Sequence, residues 1–307
     1  MPDPLIIDTD PAIGVRFRDV DDALALLYAL ARPDDFEVLG VTPVHGNASL
    51  RKTVPTAREI LRVGRREDIP VLPGASSAHD LGKRTAASEF MAEQVRARPG
   101  EVTVLAIGPL TNVATAGMTD PDFYRNAGRL VIMGGALRAG LGIPLLSPLE
   151  FNFFKDARAA ERVLAADCEK VIVTMDLFTQ VVFTRRELPA LELMDNPVAT
   201  YLARHIEPWL RLNRAAPFLP WTGGFVPWDV IAAIYLRRPE LFEEEETCLR
   251  LRSGAVKTGA LEKCNDGSRP CRLPVLVRAP ELLDEFLDAI YAHHWGQAPV
   301  VHFSSAD

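Results

Sequence analysis

The chain has 307 residues, of which 48% are hydrophobic and 24% charged, and its formal net charge at pH 7 is −7. These proportions are typical of a globular protein with a substantial buried core. The negative charge argues against nucleic acids and anionic membranes as partners, because both would be repelled. A small neutral substrate is compatible with it.

Short apolar, β-branched segments alternate with segments of helical periodicity through the first 175 residues. Strands are predicted at residues 5–7, 36–44, 69–72, 102–107, 130–133 and 171–175. Helices are predicted between them, at residues 22–31, 49–63, 86–98, 111–117 and 157–166. Strands that are apolar on both faces and joined by helices form a buried parallel sheet. We therefore predict an α/β fold with an open, mostly parallel central sheet flanked by helices.

The second half of the chain has a more helical pattern. Helices are predicted at residues 185–194, 196–212, 228–236 and 280–292, and two or three short strands within residues 247–278. Residues 221–227 are predicted to form a mobile loop. Because no repeat, low-complexity segment or linker interrupts the chain, we expect one domain over residues 1–307.

The chain contains four cysteines without a CxxC pair or the spacing of a secreted disulfide framework: Cys168, Cys248, Cys264 and Cys271. We therefore expect free, reduced thiols. The first ten residues carry no basic or long apolar segment, and no apolar run reaches the roughly 18 residues of a membrane span. These features predict a cytoplasmic protein.

Polar or small residues follow nearly every predicted strand, as in Asp8-Thr-Asp10, His45-Gly-Asn47, Gly108-Pro109 and Asp176. The carboxyl ends of parallel strands meet at one edge of the sheet, where ligands bind. A second acidic group, Asp19, Asp21 and Asp22, opens the first long helix. Carboxylates gathered at such an edge repel one another unless a cation holds them. Oxygen ligands suit a hard divalent ion, Ca²⁺ or Mg²⁺, so the pattern predicts a metal-dependent enzyme.

Five segments resemble, in order, the motifs of the nucleoside hydrolases, the inosine-uridine preferring N-ribohydrolases. They are Asp8-Thr-Asp10-Pro11 with the pair Asp21-Asp22, residues 106–112 (AIGPLTN), residues 131–136 (VIMGGA), residues 150–156 (EFNFFKD), and Trp228-Asp229. The resemblance spans roughly residues 4–240. It implies the fold of that family and hydrolysis of the N-glycosidic bond of ribonucleosides to ribose and free base. It also implies a homodimer or homotetramer.

The resemblance implies a Ca²⁺ ion held by Asp10, Asp22, the backbone carbonyl of Ile107 and Asp229. Three carboxylates neutralise a dication, and a carbonyl at a strand end adds a ligand without further charge. The resemblance also makes Asp10 the general base that takes a proton from a metal-bound water.

The resemblance assigns ribose contacts to six residues, namely Asp21, Asn47, Met133, Glu150, Asn152 and Asp229. Asp21, Asn152 and Asp229 match positions that hold the 2′ and 3′ hydroxyls, and Glu150 matches one that binds the 5′ hydroxyl. Ribosyl transfer passes through an oxocarbenium-like transition state. Carboxylates around the sugar would stabilise its positive charge.

The first motif departs from the family pattern. Its acidic pair follows Asp10 after eleven residues, where four are usual, so residues 13–20 form an additional loop. Asp19 is then an alternative to Asp21 at the ribose. Residues 144–146 (PLL) stand where many members carry an asparagine for the 5′ hydroxyl, which predicts altered recognition of the 5′ end.

The residue expected to act on the leaving group also differs from the family pattern. Trp228 stands where the inosine-uridine type has a histidine that protonates the departing base. A Trp-Asp pair resembles the purine-specific branch, in which tryptophan stacks on the base and assists its departure. Stacking contributes roughly 1–3 kcal/mol per base and favours the larger purine. We therefore assign Trp228 to catalysis and base binding and expect a purine preference. Phe225 is the predicted second base contact, with Phe17 and Trp221 as alternatives.

Two other functions remain open at this point. The enlarged first motif is compatible with a non-catalytic nucleoside or ribose binder on the same scaffold. The Asp-x-Asp motif after the first strand also occurs in haloacid-dehalogenase-like phosphatases. That class requires a lysine at a later strand end, and none is suitably placed before Asp176.

Overall fold

A central β-sheet organises the chain. In this computed structural model, residues 1–138, 150–214, 223–253, 258–265 and 269–295 are described. They form the strands β1 (Asp3–Thr9), β2 (Phe36–Pro43), β3 (Thr103–Ala106), β4 (Arg129–Met133), β5 (Lys170–Val173), β6 (Phe183–Thr184), β7 (Gly224–Phe225), β8 (Phe242–Leu251), β9 (Leu261–Cys264) and β10 (Cys271–Val277).

Eight of these strands form one sheet in the order β2-β1-β3-β4-β5-β10-β8-β9. The first six run parallel, while β8 and β9 add an antiparallel edge. Strands β6 and β7 pair separately with each other. The predicted α/β fold with a mostly parallel sheet is therefore confirmed.

Helices cover both faces of this sheet. They are α1 (Asp21–Leu30), α2 (Leu50–Val63), α3 (Ala86–Ala97), α4 (Thr111–Thr119), α5 (Phe123–Asn126), α6 (Phe151–Lys155), α7 (Ala157–Leu164), α8 (Leu188–Leu193), α9 (Pro197–Arg214), α10 (Trp228–Arg237) and α11 (Ala279–Ala292). Side chains alternate between the faces, so that Leu5 and Ile7 of β1 pack in one core and Ile6 in the other. The first core contains α1, α2 and α8 to α11, and the second contains α3, α4, α5 and α7.

Helix α1 is buried along its whole length, from Asp21 to Leu30. Its sequence, DDALALLYAL, is apolar on every side after the first two residues, as expected of a helix enclosed by other elements. Burial of the entire helix places both acidic residues of its first turn inside the protein. The fold thus holds Asp21 and Asp22 where water has little access.

One predicted strand is wrong, and the bounds of two other elements differ from the prediction. Residues 69–72 do not form a strand; Val71 makes a single bridge to Val41. Proline at positions 70 and 73 supplies no amide hydrogen, which prevents a longer ladder. The helix predicted from residue 185 begins at Leu188, after strand β6. Within the predicted loop 221–227, Gly224–Phe225 is strand β7, and residues 221–222 lie outside the described residues.

The expectation of free thiols is wrong for Cys248 and Cys264, which form a disulfide. They lie opposite each other in the antiparallel β8–β9 ladder, with Cα atoms 5.1 Å apart. This separation lies within the range for a disulfide. Cys168 and Cys271 are free and buried. In the described part of the chain, no helix combines the length and apolar character needed to cross a membrane.

Candidate active site

The carboxyl ends of the central parallel strands open into a cavity of about 240 Å³. Strand ends, the first turns of α1, α6 and α10, and the loop before α1 supply its walls. Its lining residues are Asp19, Asp21, Asn47, Ile107, Met133, Glu150, Phe151, Asn152, Met175, Trp228 and Asp229. Nine of the residues singled out from the sequence are in this set.

Three carboxylates converge beside this cavity. Asp21, Asp22 and Asp229 each place an oxygen within 4.8 Å of the others. The first turn of α1 supplies two of them and the first turn of α10 supplies the third. Acidic residues favour the first turn because the helix dipole is positive there. The two helices therefore bring distant parts of the sequence to one point.

Asp10 adjoins these carboxylates at the end of β1. Its backbone N–H donates to Asp22 Oδ1 at 3.0 Å, and its own Oδ2 accepts the backbone N–H of Asn47 at 2.5 Å. The side-chain amide of Asn47 donates to Asp22 Oδ2 at 3.1 Å. Asp10 is fully buried and does not line the cavity. The three carboxylates that lie within 4.8 Å of one another therefore include Asp21, whereas the resemblance assigns Asp10 as the third carboxylate ligand of the ion.

Burial makes this arrangement unfavourable for negative charge. Desolvation raises the pKa of Asp10, Asp21, Asp22 and Asp229. Repulsion from Asp21, Asp22 and Asp10 raises the pKa of Asp229 further. Among the described residues, no lysine or arginine forms an ion pair with any of the four. A divalent cation fits such a site, because the donors are all oxygen and carry the compensating charge.

A glycine allows Asp10 to approach the neighbouring loop. A Cβ at Gly46 would lie 1.8 Å from Asp10 Oδ2 and 2.9 Å from Pro109 Cδ. Real Cβ atoms essentially never approach within 3.0 Å of a heavy atom outside their own and the neighbouring residues. Gly46 is therefore required for the hydrogen bond between Asp10 and the next residue.

Glu150 and Asn152 form the opposite wall of the cavity. The carboxylate of Glu150 caps α6 by accepting the backbone N–H groups of Asn152 at 2.9 Å and Phe153 at 2.8 Å. Burial raises the pKa of Glu150 to about 6. The Asn152 amide donates to the carbonyls of Ile107 at 3.2 Å and Met133 at 3.1 Å. These bonds fix the wall, and the second lone pair of the Ile107 carbonyl remains available to another partner.

The aromatic residues predicted to contact the base do not gather together. Trp228 is half-buried and lines the cavity beside Asp229. Phe225 does not line it; pairing of β7 with β6 turns this side chain into the core, where it stacks on Phe183 with ring centroids 5.3 Å apart. Phe17 is 62% exposed and also lies outside this cavity. Trp221 and residues 144–146 lie outside the described residues.

Sequence reasoning missed two lining residues, Phe151 and Met175. Phe151 lies between two recognised site residues, and Met175 follows β5 at the same edge of the sheet, so strand-end position was the available signal. Asp8, the first residue of the first motif, does not line the cavity. Its Oδ1 accepts hydrogen bonds from Thr42 and Asn112, both at 2.8 Å, beneath the site.

Buried carboxylates at the carboxyl edge of a parallel sheet, beside a cavity for a small molecule, define an α/β enzyme with a cation site. The model of the inosine-uridine preferring nucleoside hydrolases matches residues 5–279, so the chain belongs to this family and is a nucleoside hydrolase. This membership excludes the phosphatase hypothesis.

Similar sequences cover most of the chain. A probable uridine nucleosidase 2 of Arabidopsis thaliana is 29% identical to this chain, over 93% of this chain and 97% of the relative's length. A pyrimidine-specific ribonucleoside hydrolase RihA of Shewanella oneidensis is 30% identical over 79% of this chain and 80% of its own.

Solved structures share the fold. A plant nucleoside hydrolase superposes with a TM-score of 0.83 at 24% identity, covering 95% of this chain and 100% of the other. A purine-preferring ribonucleoside hydrolase from Gardnerella vaginalis superposes with a TM-score of 0.82 at 22% identity, covering 94% of this chain and 98% of the other.

Proposed function

We propose that this protein hydrolyses the N-glycosidic bond of purine ribonucleosides in a Ca²⁺-dependent reaction that releases ribose and free base. The observation that carries the proposal is the gathering of four buried carboxylates beside the cavity: Asp21, Asp22 and Asp229 lie within 4.8 Å of one another, and Asp10 adjoins Asp22. Family membership supports hydrolysis, and the oxygen-only donors support a hard cation.

Asp10, Asp22, Asp229 and the Ile107 carbonyl would hold the ion. When bound, Ca²⁺ supplies positive charge that lowers the pKa of a coordinated water and orients it. Asp10 takes the proton from the attacking water, because its carboxylate is held by the Asn47 N–H and lies against Asp22. The water oxygen bonds to C1′ as the bond between C1′ and the base nitrogen breaks, and the base leaves with the electron pair of that bond.

The remaining residues bind the sugar. Asp21, Asn152 and Asp229 accept or donate hydrogen bonds at the 2′ and 3′ hydroxyls, and Glu150 receives the 5′ hydroxyl. Asn47 and Met133 line the same cavity, and we assign them to the sugar as well. The surrounding carboxylates stabilise the positive charge that develops on the ribose.

Trp228 supports the preference for purines, because it lines the cavity and offers a large stacking surface. A second candidate substrate is uridine. It is favoured by the relatives named as uridine nucleosidase and pyrimidine-specific hydrolase.

A kinetic panel tests these proposals. The Ca²⁺-loaded protein is assayed with inosine, adenosine, guanosine, uridine and cytidine, and with p-nitrophenyl riboside, whose leaving group needs no acid. We expect all activity to be lost in Asp10→Ala and after chelation of Ca²⁺. Trp228→Ala should lower kcat/KM for purines by about 10- to 100-fold, the equivalent of the stacking energy, and affect p-nitrophenyl riboside less.

The panel also separates the alternatives. Faster cleavage of uridine than of every purine nucleoside would overturn the purine preference. Binding of ribose without turnover of p-nitrophenyl riboside would indicate a binder instead of a hydrolase. We further propose a homodimer or homotetramer, which light scattering of the purified protein would test.

A further inference from the structure

A second cavity lies on the other side of the additional loop that precedes α1. Its volume is about 460 Å³, against about 240 Å³ for the active-site cavity. The loop contributes Arg16, Phe17 and Arg18, and helix α9 contributes His205, Trp209 and Arg211. We call it the loop–helix cavity. It shares no lining residue with the active-site cavity, and its volume falls within the usual range for small-molecule sites.

The loop–helix cavity is basic, whereas the protein as a whole is acidic, with a net charge of −7. Three arginines and one histidine line it, and no aspartate or glutamate does. Arg16 and Arg18 are exposed and form no ion pair with another described residue. Arg211 pairs with Glu207 on its own helix. The uncompensated charge of the loop favours an anionic ligand.

The cavity also offers aromatic surface. Phe17 is 62% exposed and has a left-handed φ of 62°, which is unfavourable for an aromatic residue. The guanidinium of Arg16 lies 4.5 Å from the centroid of its ring. Strained backbone at an exposed aromatic residue is a feature of ligand sites.

Trp209, on α9, is a second aromatic residue of the cavity lining. Its indole nitrogen is buried and has no hydrogen-bond partner in the described part of the chain. Buried donors are nearly always paired in folded proteins. This nitrogen faces away from the space that a ligand would fill, so Trp209 lines the cavity with its other atoms.

We propose that the loop–helix cavity binds a nucleoside 5′-monophosphate. The base stacks between Phe17 and Trp209, and the phosphate is held by the guanidinium groups of Arg16, Arg18 and Arg211. Guanidinium groups match phosphate oxygens in charge and geometry, and aromatic side chains accept any base. The active-site cavity is unsuited to this ligand, because Asp19, Asp21, Glu150 and Asp229 line it. The proposal is independent of the hydrolytic function proposed above.

Isothermal titration of the whole 307-residue chain, loaded with Ca²⁺, with AMP tests the site. We expect saturable binding with a Kd below about 1 mM. Arg16→Gln with Arg18→Gln should weaken binding by about tenfold or more. The matched control is Arg51→Gln with Arg58→Gln on α2, two exposed arginines whose loss changes the net charge equally. Trp228→Ala, in the active-site cavity, should leave the affinity for AMP unchanged.

Several results would overturn the proposal. One is the absence of saturable binding, and another is an equal loss of affinity in the α2 control, which would indicate unspecific attraction. A loss in Trp228→Ala, but not in the Arg16/Arg18 variant, would place AMP in the active-site cavity. Inorganic phosphate binding as tightly as AMP would refute the aromatic half of the site. Thermal melting of each variant shows whether it is folded.

Discussion

Replacing Gly46 by alanine tests how the structure holds Asp10. The new Cβ would lie 1.8 Å from Asp10 Oδ2, while real Cβ atoms essentially never come within 3.0 Å of a heavy atom from outside the neighbouring residues. The carboxylate would therefore have to move by at least about 1.2 Å, which breaks its bond from the Asn47 N–H. Misplacing a catalytic group by about 1 Å costs about 100-fold in rate. This equals roughly 2.7 kcal/mol of transition-state stabilisation.

The assay is hydrolysis of p-nitrophenyl riboside at saturating Ca²⁺, combined with a calcium titration and a thermal melt. We expect Gly46→Ala to fold, to lose about 100-fold in kcat and to bind calcium more weakly. Gly100→Ala is the control. A Cβ there meets nothing within 4 Å, and Gly100 lies between α3 and β3, at the opposite end of the strands. Its φ of +80° predicts some loss of stability but unchanged kcat.

Wild-type kcat and calcium affinity in Gly46→Ala would refute this reasoning. Such a result would mean that Asp10 is free to leave the position observed here without consequence. It could then be neither the base nor a calcium ligand. An equal loss of activity in Gly100→Ala would show that the effect arises from general destabilisation and is unrelated to the contact with Asp10.

Three further predictions concern stability and are measured by urea unfolding. Asn112→Ala removes two hydrogen bonds of 2.8 Å, one from the Asn112 amide to Asp8 Oδ1 and one from the Ala75 N–H to Asn112 Oδ1. The free energy of unfolding should fall by about 2–3 kcal/mol. A fall of less than about 0.5 kcal/mol would contradict this prediction. Replacing Cys248 and Cys264 by serine removes the disulfide between residues 16 positions apart. The free energy of unfolding should fall by about 3 kcal/mol. Wild type with its disulfide reduced should unfold like this variant. Burial raises the pKa of Glu150 from 4.5 to about 6, so its stabilising contribution is complete below pH 4.5 and is lost as the pH rises through about 6. The free energy of unfolding of wild type minus that of Glu150→Gln should fall by about 2 kcal/mol between pH 4 and pH 7.5; a constant difference would be inconsistent with the shift.

The parallel sheet and the site residues on it were predictable because their signals are local. Apolar runs ending in polar clusters identified β1 to β5, and strand ends of a parallel sheet share one edge. Glu150 and Asn152 were found from a short motif, and both line the cavity. These inferences need only the period of a strand or helix and the topology of parallel connections.

Errors arose where a residue's environment depends on distant segments. Phe225 is flanked by loop-forming residues, yet pairing with β6 buries it against Phe183. Cys248 and Cys264 are 16 positions apart, and only the register of β8 and β9 places them together. Neither pairing leaves a periodic signal in the sequence.

The amino-acid sequence alone specifies the layer architecture, the family and the strand ends that carry the acidic residues. These properties follow from hydrophobic periodicity and short motifs, which act over a few neighbouring residues. The three-dimensional fold alone determines that Asp21 completes the carboxylate trio with Asp22 and Asp229, and that the additional loop forms a basic cavity against α9. The physical reason is that charge repulsion, desolvation and cavity shape depend on distances between segments far apart in the chain.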